Sequence, residues 1–189
     1  MRKSIKDKYA TPEEPSMDMM RKYITDLGSP HGLQRQNARL AMVAIGEPAI
    51  DILAVLAMHP KSIIRWEAVK ALAQIKNAVT APILINALED EFESVRWVAV
   101  HGLIALGKQG LIALLEALSS YKLSVILRQG AHHVIRELSK KYPISGIEDI
   151  MQSLENTGNY FVVPINAKSL LNTLSTEQNN QNQNSLQMS

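Results

Sequence analysis

Apolar residues recur at helical spacing along most of the chain, and breakers cut the pattern into short segments. Met20, Tyr23, Ile24 and Leu27 lie three or four residues apart, which puts them on one face of a helix. Ser16 stands where an N-cap is wanted and Gly28-Ser29-Pro30 where a stop is wanted, so a helix is expected over about 17–27. The same reading predicts helices over Leu33 to Ile45, Pro48 to Met58, Ile64 to Ile75, from beyond Asn77 to Leu88, and from Ser94 to Gly107. Further helices are expected over Gln109 to Leu118, Ser124 to about Lys140, Ile147 to Leu154 and Asn166 to Leu174. No strand-like alternation interrupts them.

The stretch Ile64 to Ile75, IRWEAVKALAQI, returns 31 residues later as Val95 to Leu106, VRWVAVHGLIAL. Arg35, Arg65, Arg96 and Arg128 recur at intervals of 30, 31 and 32 residues. Three places after each comes an alanine: Ala38, Ala68, Ala99 and Ala131. The preceding helices align through Leu53, Leu84 and Leu114. A fixed period of helix–turn–helix units is the mark of an α-solenoid, in which each hairpin buries its apolar side only by stacking on its neighbours. The expected fold is all-α, an α-solenoid of about four to five stacked antiparallel helical hairpins. Small alanines let neighbouring helices come close. Leu72, Ile75, Leu103 and Leu106 are expected to fill the layer between hairpins.

Composition narrows the function more than the fold. The 189 residues are 46% hydrophobic, with 20 basic and 18 acidic side chains and a net charge of +2. So balanced a charge argues against a surface built to grip duplex nucleic acid. Absence of cysteine removes thiol nucleophiles, zinc–thiolate sites and disulfides, and points to a cytoplasmic setting. No uncharged apolar run reaches the roughly 18 residues of a membrane span, and the basic start has no apolar run behind it. Residues 1–14 read as a flexible segment, 15–156 as the repeat domain and 157–175 as an extension with a short helix. Residues 176–189 read as a disordered Gln/Asn-rich tail, because so few apolar residues cannot offset the entropy of ordering.

RWEAVKAL, RWVAVHGL and the IGEP turn resemble the short bacterial HEAT-like repeats named after phycobilisome bilin lyases. The resemblance runs from about Met17 to Leu154, and LRQGAHHVIREL resembles the last repeat of such arrays. It implies a scaffold or adaptor. It also implies, as alternatives, a bilin-lyase-like enzyme or lyase subunit, or a nucleic-acid-binding protein in the manner of HEAT-like glycosylases. The hydroxylase-like members use His-Glu pairs; His101-Gly102 and His132-His133 stand here instead, so those ligands are missing.

The arginine column Arg35, Arg65, Arg96 and Arg128 reads as structural, pairing with turn carbonyls and with acidic residues such as Asp90, Glu91 and Glu93. Trp66 and Trp97 follow their arginines and so point away from the alanine–leucine stripe, toward a ridge of second helices. With Glu67, Lys70, His101 and His133 they make a mixed aromatic and polar surface suited to a protein partner. No metal site is expected, because His101 and His133 stand in no recognisable metal-ligand motif. No GxSxG turn, Walker loop or paired acid–base motif is present, so neither catalytic residues nor a cofactor is expected.

Overall fold

The computed structural model describes residues 16–120, 123–142, 144–155, 158 and 160–187, with side chains up to 176 apart from that of residue 160. Its helices follow the expected order: α1 (Met17–Leu27), α2 (Gly32–Ile45), α3 (Ile50–Leu56), α4 (Ser62–Ile75) and α5 (Ala81–Ala87). After them come α6 (Glu93–Ala105), α7 (Lys108–Leu118), α8 (Val125–Ser139), α9 (Ile147–Glu155) and α10 (Val163–Gln187). Ser16 caps α1 by accepting from the Met19 amide, and Ser124 caps α8 through the Leu127 amide. The first helices α3 and α5 are shorter than their patterns suggest, since Glu47–Ala49 and Ala78–Thr80 wind as 3₁₀ turns ahead of them. Gly46 and Gly107 end α2 and α6 at φ of 75° and 62°, where a side chain would be strained.

Second helices stack in a row, α2 on α4, α4 on α6 and α6 on α8, while α5 packs on α7. The alanine column lies at the centre of this row: Ala38, Ala68, Ala99 and Ala131 are all buried. Leu72, Leu103 and Leu106 are buried with them, and Ile75 packs at the edge of the same core. Each hairpin contributes one side to a continuous apolar layer, as a solenoid requires.

The C-terminal pair departs from this order. Here α9 lies against α8, and α10 lies against both α7 and α9. Hence α9 extends the row of second helices and α10 the row of first helices. Val163, Ala167, Leu170 and Leu174 form the buried stripe of α10. The expectation of a short helix ending at Leu174, with no order beyond, differs from the structure, where the backbone of α10 stays helical to Gln187. No glycine or proline occurs between Asn166 and Ser189, so nothing in the sequence stops the helix once α7 and α9 have anchored its first turns. The expected flexible segment 1–14 lies outside the described residues.

Candidate functional site

The arginine column does the same thing in three successive repeats. Nη1 of Arg35 donates to the carbonyls of Ser29 and Pro30, at 2.8 and 3.1 Å. Nη1 of Arg65 reaches His59 and Pro60 at 2.9 and 3.1 Å, and Nη1 of Arg96 reaches Asp90 and Glu91 at 2.8 and 3.1 Å. Each guanidinium thus ties down the loop that leads into its own helix. The loops have a matching internal bond: Ser29, His59 and Asp90 each accept from the backbone amide two residues on. Arg65 also clamps the next repeat, donating to Asp90 at 2.7 and 3.0 Å and to Glu91 at 2.9 Å. Arg128 is buried on α8 at the corresponding place.

Between α2 and α4 the charges form a buried knot. Glu67 is 2% exposed and accepts from Nε of Arg35 at 3.2 Å and from Nη1 of Arg39 at 2.5 Å. Arg39 is itself buried, and its Nε donates to Gln74. Glu67 therefore does not stand on the exposed ridge where the sequence placed it. Two arginines of the preceding repeat draw its carboxylate inward, because buried guanidinium groups need a counter-charge. Arg39 was not among the candidate residues. Its signal was available: Val69, Val100 and His132 hold its place in the other repeats, and Glu67 replaces Asn37, Val98 and Gly130.

Lys70 and Trp66 lie beside this knot, both partly buried. The Lys70 ammonium stands 4.2 Å from the centre of the Trp66 ring, and the Arg39 guanidinium 5.9 Å from it. Burial first, and the Arg39 charge second, lower the Lys70 ammonium from its ordinary pKa, while Glu67 works the other way.

One repeat further on, the structure brings together Trp97, His101 and His133. Trp97 is 44% exposed. Its indole stacks on His101 at 5.9 Å and meets the His133 ring edge-on at 4.9 Å, and its Nε1 donates to Glu93. Together with Leu88, Val100 and Ile126, Trp97 and His133 line an open hollow of about 220 Å³ between α6 and α8. Ile126 is 40% exposed and had not been singled out from sequence. Among the described residues no three His, Asp or Glu side chains converge as metal ligands.

The surroundings of His133 favour its neutral form. Arg136 lies 2.9 Å from its Nδ1 and donates to it only while that nitrogen is unprotonated. Burial, then the charge of Arg136, lowers its pKa from the ordinary histidine value; Glu137 opposes this, and His101 and His132 add to it weakly. A histidine with a lowered folded pKa makes the folded state bind fewer protons than the unfolded state. Its contribution to stability is therefore complete above the unfolded value, about 6.5, and is lost as pH falls from there through the lower folded value. We expect the melting temperature to drop as pH is taken below about 6.5, and to drop less in His133→Gln. An equal drop in both proteins would contradict this assignment.

The chain belongs to the HEAT-repeat family: the model of HEAT repeats matches residues 21–104 and 51–136, together more than half of its length. Among solved structures it is similar to a chain of the complex of CpcE and CpcF of phycocyanin lyase from Nostoc sp. PCC7120. The two share 20% identity at a TM-score of 0.53, over 82% of this chain and 99% of that one, which establishes a common fold. No curated protein matches the chain in sequence. Among the described residues no helix is long and apolar enough to cross a membrane.

Proposed function

We propose that this chain is a non-enzymatic cytoplasmic scaffold or adaptor that binds a protein partner along the ridge of its second helices. The observation that carries this reading is Trp97, 44% exposed on a rigid helix, flanked by His101 and His133 at the mouth of an open hollow. Large amphipathic rings held in place in this way are the usual energetic centres of protein interfaces. HEAT repeats supply the extended, regularly spaced surface such a contact needs. Trp66 and Lys70 extend the surface one repeat toward the N-terminus. The arginines Arg35, Arg65 and Arg96 belong to the framework, because their donors are directed at loop carbonyls of the chain itself.

Affinity capture from the native cell tests the reading, with a Trp97→Ala, His101→Ala chain as control. Both residues are exposed, so the control is expected to keep its fold and its melting temperature. Partners retained by the unaltered chain and lost by the control support the ridge. The same partners on both would exclude it.

A bilin-lyase-like role is the second reading, supported by the fold shared with the phycocyanin lyase complex. A mass or colour change on incubation with a bilin would favour it over the adaptor.

A further inference from the structure

The row formed by α2, α4, α6, α8 and α9 changes sign along its length. Helices α2 and α4 carry Arg35, Arg39, Arg65 and Lys70 against one carboxylate, Glu67, which is buried and already shared by two of the arginines. At the other end α9 carries Glu148, Asp149 and Glu155 and no basic residue. Within the basic end, Arg65 is matched by Asp90 and Glu91, and Arg39 by Glu67 and Gln74. Lys70 makes no ion pair or hydrogen bond with any described residue. Its ammonium rests instead on the face of Trp66, which fixes its position without neutralising it.

One repeat on, the hollow beside Trp97 has a different chemistry. Leu88, Val100 and Ile126 give it an apolar wall, while Glu93, Arg96 and Gln129 stand at it as polar groups and Arg136 donates to Nδ1 of His133. The apolar wall, with the Trp97 ring beside it, accommodates one aliphatic or aromatic side chain. Lys70 lies on α4 and the hollow lies between α6 and α8, roughly one and a half helix spacings or about 15 Å away; an extended chain turns side chains to one face only at even spacings, and about four residues cover that distance.

From this juxtaposition we infer that the ridge takes an acidic protein segment in a set register. An Asp or Glu side chain lies on Lys70 beside Trp66, and an apolar side chain about four residues away, on the same face of the extended segment, enters the hollow between α6 and α8. Acidic α9 repels further carboxylates at its end, which places the acidic part of the segment over α2 and α4. This rests on the ridge reading above and specifies its ligand.

The test is selection of short phage-displayed random peptides on the full chain, followed by titration of synthetic copies using tryptophan fluorescence. The enriched peptides are expected to share Asp or Glu about four positions from Leu, Ile, Met or Phe. Their binding is expected to weaken at least about tenfold in Lys70→Glu, less in Lys70→Gln, and to persist in Lys70→Arg. Circular dichroism and melting of each variant separate lost binding from lost fold. Peptides that require Trp97 but are neutral or basic would overturn the inference and leave the ridge reading intact. Peptides that bind Trp97→Ala as well as the unaltered chain would overturn the ridge reading itself. Failure to enrich any peptide, or Trp97-dependent retention of nucleic acid in its place, would also overturn the inference.

Discussion

Glu67→Ala is expected to destabilise the fold by about 3–5 kcal/mol, the usual cost of breaking a buried ion pair from one side. The substitution removes a carboxylate that is 2% exposed and leaves Arg39, 6% exposed, with only Gln74 as a side-chain partner in the same knot. Arg35 loses its contact across the α2–α4 boundary but keeps its loop carbonyls, so most of the loss belongs to Arg39. A second substitution tests that division. Arg39→Met added to Glu67→Leu replaces the buried pair by apolar groups, and such replacements are often neutral or stabilising. The double variant is therefore expected to recover most of the stability lost in Glu67→Ala. Urea unfolding reads both numbers through the midpoint and slope. A Glu67→Ala chain as stable as the parent would mean that the knot contributes nothing.

Leu103→Ala is expected to cost about 2–5 kcal/mol, toward the upper end of that range for a buried leucine. The side chain is fully buried on α6, in the layer between hairpins. How much such a change costs depends on how far the surroundings can close on the cavity. Here they have little room. A Cβ placed on Gly110 would stand 2.2 Å from the Leu103 carbonyl oxygen, so α6 and α7 already meet backbone to backbone. The helices cannot move closer, and the cavity stays open. In a stacked array each repeat is stabilised mainly by its neighbours. The loss is therefore expected to appear as earlier protease cleavage on both sides of the α6–α7 hairpin. A Leu103→Ala chain whose unfolding midpoint does not move would contradict the packing described.

The repeat was legible because its buried residues had to recur. Ala38, Ala68, Ala99 and Ala131 sit at one depth in one row, and a larger side chain at any of them would separate two helices. The arginine column was legible for a related reason, since each guanidinium reaches a loop of the same length. What did not recur was harder to read. Glu67 differs from Asn37, Val98 and Gly130, so the repeat gives no sign that it is buried. In the structure it is one half of a compensated pair, whose other half is Arg39 in the preceding repeat. A reading repeat by repeat separates the two, although they lie 28 residues apart in the chain and in contact in space. The exchange of layers by α9 and α10 was hidden as well. Periodicity shows which face of a helix is apolar and leaves open which neighbour covers it. Of the six residues expected on the ridge, Trp97 and His133 meet at one hollow with His101 stacked on Trp97, and Trp66 and Lys70 meet one repeat away.

Site-directed photo-cross-linking in the native cell tests the ridge most directly. A photoreactive amino acid is placed at His101, on the ridge, and in a second chain at Val55, which is exposed on the first helix α3. The account predicts a discrete cross-linked protein from position 101, lost when Trp97 is replaced by alanine, and none from position 55. Cross-links that form from position 55 and not from position 101 would contradict it.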